Sequence, residues 1–213
     1  MHNISLHHVI PDVFAQQHIE SDIWNKDVSF EKGKKYLVIA DSGQGKSSLC
    51  GFLMGYRRDY SGDITFDDKD IRTLLVNDWC NIRRHHIAYL FQELRLFPEL
   101  TARENVEIKN SLSAHASDEQ INRWFEQLGI EDKKEAKVGH MSFGQQQRVA
   151  LIRALAQPFD FLLLDEPVSH LDDSNAAIMS EVMMGEVERQ GAALIVTSIG
   201  KHMMLDYDKT IRL

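Results

Sequence analysis

The stretch Ala40-Asp41-Ser42-Gly43-Gln44-Gly45-Lys46-Ser47-Ser48 constrains the fold more than any other part of the chain. Residues 36–40 ahead of it form a short apolar run, which reads as a buried strand, and residues 46–56 behind it read as a helix. Gly43 and Gly45 let the backbone curl so that its N–H groups point inward at the positive end of that helix, an arrangement suited to phosphate. Lys46 is placed to reach between terminal phosphates, and the Ser47 hydroxyl to take a Mg²⁺ ion. Such loops usually begin with glycine. Here Ala40 stands in that place, which is tolerable wherever φ stays negative.

The rest of the chain supplies the context such a loop needs. Residues 64–67, 87–91, 161–165 and 192–197 read as further strands, and residues 174–190 as a helix. Strands alternating with helices imply a parallel sheet covered on both faces. Between residues 93 and 139 the character is helical. Thr101-Ala102-Arg103-Glu104 has the form of a capping box, and Ile121, Trp124, Phe125 and Leu128 recur at helical spacing ahead of Gly129, a fitting C-cap. The expected fold is therefore α/β in a single domain over residues 1–213, a phosphate-loop parallel-sheet core with a helical insert between two strands of one sheet.

Bulk properties exclude several classes. A formal net charge of −8 argues against a broad basic face for gripping nucleic acid. No apolar run is long enough to span a bilayer, so any membrane part is expected on another chain. Two cysteines, Cys50 and Cys80, are too few for a disulfide scaffold and read as reduced thiols. The histidines, including His7, His8, His18, His85 and His86, show no metal-ligand spacing and read as solvated or packing residues.

Two later motifs sharpen the reading. Met141-Ser142-Phe143-Gly144-Gln145-Gln146-Gln147-Arg148 opens a helix carrying Val149, Ile152 and Leu155, and Phe161-Leu162-Leu163-Leu164-Asp165-Glu166-Pro167 ends an apolar strand in two carboxylates. Burying Asp165 is expensive unless it faces a cation, and Mg²⁺ with its waters is the obvious one. Glu166 next to it is then placed to polarise water as a general base. With the phosphate loop, in this order and spacing, the chain resembles the nucleotide-binding subunit of ATP-binding-cassette (ABC) transporters over nearly its whole length.

That resemblance implies ATP and Mg²⁺ as ligands and a P-loop NTPase (RecA-like) parallel-sheet core (about 1–92 and 151–213) that carries an N-terminal antiparallel β portion and an inserted helical subdomain (93–150). It implies that Phe14 (or Trp24) stacks on adenine, that Ser42, Gly43, Gln44, Gly45, Lys46, Ser47 and Ser48 hold the phosphates, and that Ser47, Gln92 and Asp165 serve the metal. It implies that Ser142, Gly144 and Gln145 contact the γ-phosphate of ATP held by a second copy, in a head-to-tail dimer, and that Asp172, in the stretch Ser169-His170-Leu171-Asp172, crosses to that copy. Glu166 and Gln92 would be catalytic. The family usually places a histidine where this chain has Ser198, so Ser198 is expected to make the γ-phosphate contact with less reach, with His202 an alternative and slow hydrolysis a consequence. Phe143 likewise replaces a family glycine. Residues 94–100 would lie near the groove that receives a helix of a separate transmembrane permease, which would hold the protein at the cytoplasmic face of the membrane. The phrase Leu96-Phe97-Pro98-Glu99-Leu100-Thr101-Ala102-Arg103-Glu104-Asn105-Val106 is similar to lipoprotein-release and macrolide-export cassettes. Two other functions stay open at this point: a non-transport ABC ATPase acting on ribosomes or DNA, and a weakly hydrolysing regulatory module.

Overall fold

The computed structural model describes residues 1–17, 19–41, 43–169 and 171–213. Two sheets organise it. One is antiparallel, built from β1 (Asn3–Pro11), β2 (Asp27–Glu31), β4 (Tyr60–Phe66) and β5 (Lys69–Asp70) in the order β2-β1-β4-β5. The other is fully parallel, built from β3 (Lys35–Ile39), β6 (Ile87–Leu90), β7 (Phe161–Asp165), β8 (Ala193–Ser198) and β9 (Lys209–Arg212) in the order β6-β7-β8-β3-β9. The helices are α1 (Lys46–Leu53), α2 (Val76–His85), α3 (Ala102–Asn110), α4 (Asp118–Gln127), α5 (Phe143–Leu155) and α6 (Asp173–Gln190).

Strand periodicity decides where each layer sits. In β7, Phe161 and Leu163 enter one core, shared with Leu49, Phe52 and Leu53 of α1 and with Ile4, Leu6, Phe30 and Ile64 of the antiparallel sheet. The alternate residues Leu162 and Leu164 enter the other, shared with Val149, Ile152 and Leu155 of α5, with Met179 and Met183 of α6, and with Trp124 and Phe125 of α4. Because successive side chains point to opposite faces, one continuous apolar strand serves both cores. The chain is thus a parallel sheet clamped between an antiparallel β layer and a helical layer, as expected.

Several local expectations hold. Thr101 and Glu104 form the reciprocal capping box of α3, with Glu104 N–H donating to Thr101 Oγ1 at 3.1 Å and Thr101 N–H to Glu104 Oε2 at 2.7 Å. Gly129, at φ +62°, follows the C-cap of α4. The boundary at residue 150 falls inside α5, whose second half (Leu151, Leu155) packs into the core beside Leu162. Helix α2 and strands β1, β2, β5 and β9 lie beyond the sequence reading. Helix α2 buries only Trp79 and Ile82 in a polar, basic segment. Strand β9 is a polar edge strand with one buried side chain, Ile211. In β1 the apolar alternation breaks where the register shifts between His7 and Ile10, with His8 at φ +48°.

Parallel strands gather their carboxyl ends at one edge, where ligands bind in open α/β sheets. Here that edge collects the loop after β3, the turn after β6, Asp165 at the end of β7 and Ser198 at the end of β8. Among the described residues no helix is long and apolar enough to cross a membrane.

Candidate nucleotide site

Two left-handed glycines shape the loop between β3 and α1, Gly43 at φ +85° and Gly45 at φ +98°. Gly45 is required twice over. Its φ excludes most side chains, and a Cβ there would come to 3.0 Å from both the Phe14 and Trp24 rings. Trp24 also donates its indole N–H to the Gln44 carbonyl at 3.0 Å. Phe14 and Trp24 are 8% and 2% exposed. They brace the loop from within the core and present no open face for stacking in this structure. Beside the loop opens a recess of about 820 Å³, lined by Ser21, Asp22, Asp41, Gln44 and Arg212 among others.

Gln44 closes the loop with its own side chain, accepting from Asp41 N–H at 3.0 Å. Lys46, 6% exposed, folds back to donate to the carbonyls of Ala40 and Asp41, each at 3.0 Å. Burial lowers its pKa, while the charges of Glu166, Asp165 and Asp41 pull it back up. The ammonium therefore sits between the carboxylate pair and the loop. The first N–H groups of α1, at Lys46, Ser47 and Ser48, have no partner within the helix. Ser47 is exposed at this helix start. The Ser48 hydroxyl is turned inward and accepts from Arg57 at 2.8 Å, which leaves the backbone N–H of Ser48 at the loop. Ser42 lies outside the described residues, as do His18 and His170.

Asp165 is 3% exposed, and both its oxygens are held. Thr197 donates to Oδ1 at 2.5 Å, across the β7–β8 register that pairs the two residues, and Tyr89 donates to Oδ2 at 3.2 Å. Burial, the neighbouring Cys50 and Asp165 itself all push the Tyr89 hydroxyl upward, so it stays a protonated donor. Burial and Asp165 likewise push up the Cys50 thiol. Neither Tyr89 nor Thr197 was singled out from sequence. The only signal was a hydroxyl interrupting an otherwise apolar strand; Thr197 pairs with Asp165 itself, whereas Tyr89 pairs with Leu163, two residues before the carboxylate.

Glu166 follows in the left-handed region, at φ +52°, and immediately precedes Pro167. Non-glycine residues avoid that region, and a following proline restricts them further. Its N–H donates to the Thr197 carbonyl at 3.2 Å. The Pro167 carbonyl accepts from Gln147 of α5 at 2.5 Å, so the helix that starts at Ser142 is tied to the carboxylate turn.

At the head of α5, Ser142 and Gln145 cap each other. Gln145 N–H donates to Ser142 Oγ at 3.3 Å and Ser142 N–H to Gln145 Oε1 at 3.0 Å. Phe143 is 44% exposed. Among the described residues, a Cβ on Gly144 would meet only Leu171, at an ordinary 3.5 Å, and none of them demands glycine there. Gln92 is exposed in the turn after β6, followed by Leu94 and Arg95 at φ +59° and +48°. Asp172 caps α6, accepting from Asn175 N–H at 2.8 Å, and that bond lowers its pKa.

Ser198 is 1% exposed, and its hydroxyl donates to the Lys201 carbonyl at 2.7 Å. It is committed to its own turn in this structure. His202 pairs through Nδ1 with the Gly200 carbonyl at 2.9 Å. Two further histidines sit with carboxylates: His7 with Asp27 at 3.0 Å and His86 with Asp160 at 2.6 Å. Among the described residues no group of three or more His, Cys, Asp or Glu could hold a metal ion.

A parallel sheet whose edge holds a glycine loop, a buried lysine and a fixed Asp-Glu pair defines a P-loop ATPase. Its relatives specify which one. The family profile described as "ABC transporter" matches residues 24–169, and the chain belongs to that family. It is 28% identical over 99% of its length, and 93% of the relative, to the uncharacterized ABC transporter ATP-binding protein YbbA of Escherichia coli (strain K12). It is 29% identical over 87% of its length, and 83% of the relative, to the lipoprotein-releasing system ATP-binding protein LolD of Legionella pneumophila (strain Lens). Among solved structures it is similar to the dimeric structure of MJ0796, a bacterial ABC transporter cassette (TM-score 0.82, 27% identity, 99% of this chain and 94% of that one). It is also similar to the same cassette in a dimeric post-hydrolysis state bound to ADP and Pi (TM-score 0.81, 25% identity, with the same coverage).

Proposed function

We infer that the chain binds and hydrolyses ATP in a head-to-tail pair with a second copy of itself, and that this drives transport through a separate membrane subunit. The observation that carries this reading is the meeting, at one sheet edge, of the Lys46 helix start with the Asp165–Glu166 pair, whose charges reach the buried ammonium. The donors fit a hard cation. A buried carboxylate already fixed by two hydroxyls, a hydroxyl at an exposed helix start (Ser47) and an exposed amide oxygen (Gln92) are all oxygen ligands, which Mg²⁺ prefers. When bound, the ion would neutralise charge on the terminal phosphates.

The chain's own residues divide the remaining work. Gly43 to Ser48 present N–H groups and one ammonium to the phosphates. Glu166 accepts a proton from the attacking water at a carboxylate oxygen, positioned by the strand end and by Gln147's hold on Pro167. The capped start of α5 offers its N–H groups and the Ser142 hydroxyl to an anion arriving from outside the chain. The Gly144 position supports this: its small side favours close approach by a partner rather than any internal packing. The dimeric MJ0796 cassette and the LolD relative support the pairing and the transporter role. Cytoplasmic placement at a membrane follows from that role. With its hydroxyl turned to Lys201, Ser198 would have to rotate to contact a phosphate, which favours slow turnover.

The test is ATP turnover by the purified chain with Mg²⁺, together with size-exclusion chromatography of Glu166→Gln. Wild-type hydrolysis and an ATP-dependent dimer of a non-hydrolysing Glu166→Gln are expected. A variant that turns over ATP at the wild-type rate removes Glu166 from its role.

A further inference from the structure

Two turns at the catalytic edge are joined by one side chain, that of Lys201. Residues 198–201 leave the end of β8, and residues 171–173 lead into α6. The Lys201 ammonium donates to the Leu171 carbonyl at 2.6 Å and lies 2.9 Å from the Asp173 carboxylate. The Lys201 carbonyl in turn accepts from the Ser198 hydroxyl at 2.7 Å. The two ammonium contacts differ in weight. The Asp173 side chain is 96% exposed, so that ion pair is screened and contributes little. The Leu171 carbonyl belongs to a buried residue, and a hydrogen bond from a charged donor is the stronger kind.

Both ends of this tie are anchored. The buried Ser198 pairs with Ile39 across the β8–β3 ladder, and its carbonyl accepts from Ala40 N–H at 3.1 Å. The β8 turn is therefore bonded to the first residue of the phosphate loop. At the other end, the Leu171 side chain lies 3.5 Å from where a Cβ on Gly144 would stand, against the start of α5. Next to it, Asp172 accepts from the Asn175 amide at 2.6 Å, and the Asn175 oxygen accepts from Arg148 of α5, also at 2.6 Å. Arg148 thus ties residues 172–175 to the helix that meets a second copy's phosphate. Lys201 ties residues 171–173 to the strand end that abuts the chain's own phosphate loop.

We propose that Lys201 is a positioning residue: through the Leu171 carbonyl it fixes residues 171–173 against the β8 turn, so that Asp172 meets the second copy in one set position. This rests on the shared-site reading and adds the side chain that prepares this stretch for pairing. The contact that matters is a donated hydrogen bond. Arginine can supply it with similar reach, whereas methionine keeps an apolar stem and no donor.

The test makes Lys201→Met and Lys201→Arg in the isolated chain, each alone and together with Glu166→Gln. In the Glu166→Gln background, size-exclusion chromatography reads the ATP concentration that brings half of the chains into dimers. That concentration should rise roughly tenfold or more with Lys201→Met, and return towards the parent with Lys201→Arg. On its own, Lys201→Met should lose turnover at low protein concentration and recover it as the protein concentration rises. Its affinity for a fluorescent ATP analogue and its melting temperature should stay those of wild type. Equal pairing with and without Lys201→Met overturns the proposal and leaves the shared site standing. Lys201→Arg behaving like Lys201→Met also overturns it. So does weaker analogue binding, or a melting temperature that falls in step with pairing, since either gives Lys201 a different role. Failure of Glu166→Gln itself to pair with ATP overturns the shared-site reading on which the proposal stands.

Discussion

Glu166 carries the sharpest consequence of the geometry, because its place in the mechanism and its backbone conformation pull in opposite directions. At φ +52° an L-residue crowds its own Cβ against a carbonyl oxygen, at a cost of about 1–2 kcal/mol. Glu166→Ala and Glu166→Gly both remove the side chain with all its interactions, so their difference isolates the backbone. At an ordinary position glycine is the less stable of the two by about 0.5–1 kcal/mol, through its freer unfolded chain. Here relief of the left-handed strain opposes that loss and should outweigh it, leaving the glycine variant ahead by up to about 1 kcal/mol. In a chain of 213 residues that corresponds to a melting temperature higher by about 2–4 °C. Calorimetry of the two variants reads this directly. ATP turnover, measured in parallel, should fall about 10²–10⁴-fold in both, as expected for loss of a general base. An alanine variant melting at or above the glycine variant would refute the stored strain, and undiminished turnover would refute the catalytic role.

Lys46→Ala removes the one ammonium in the phosphate loop. Titration with a fluorescent ATP analogue should show affinity weakened by roughly thirty- to a hundred-and-fifty-fold, the loss of a charged hydrogen bond worth about 2–3 kcal/mol, and near-unchanged affinity would mean the loop is misread. Asp160 would be raised by burial, but hydrogen bonds from Lys32, the amino-terminal ammonium and His86 hold its pKa at about 2. A depressed carboxylate stabilises the fold above its unfolded pKa and loses that stability as pH falls through the folded one. Acid melts should therefore show about 2 kcal/mol disappearing between about pH 4 and 2, a loss that Asp160→Asn should not show. Lys109 behaves in the opposite sense. The unfolded chain keeps its proton to about pH 10 while the folded chain releases it near 8, so the group costs stability below 8 and the cost fades as pH rises from 8 towards 10. Lys109→Gln should accordingly raise the melting temperature at pH 7 and lose that advantage by about pH 10.

The chemistry was legible where it is local in the chain. Gly43, Gly45 and Lys46 carry their meaning in adjacent residues, and the capping box at Thr101 depends on positions only three apart. What stayed hidden depends on contacts across the fold. Tyr89 and Asp165 are 76 positions apart, and Thr197 lies 32 positions from the same carboxylate. Gln147 reads as a polar helix residue until Pro167 is found beneath it. Trp24, the second candidate for stacking on adenine, donates its N–H to Gln44, 20 positions away, a contact the sequence does not show. Helix α2 escaped notice because only Trp79 and Ile82 mark its buried face, and the strand pattern of β1 is interrupted by its own bulge. Lys201 was hidden for the same reason as Tyr89: the Leu171 carbonyl that accepts from it lies 30 positions away.

The central claim is that each ATP is shared between the phosphate loop of one copy and the α5 start of the other. Mixing two separately inactive variants tests it most directly. Lys46→Ala disables the loop. Ser142→Asp keeps the N-cap, since aspartate caps as well as serine, but turns a negative charge toward the incoming phosphate. In a head-to-tail pair of one variant with the other, both defects fall in the same site and the second site is sound. ATP turnover of an equal mixture should rise well above the sum of the parents, to roughly a quarter of wild type when half the dimers are mixed and their sites act independently. A mixture that stays at the sum of its parents would mean that each chain completes its site alone, and the shared site would be wrong.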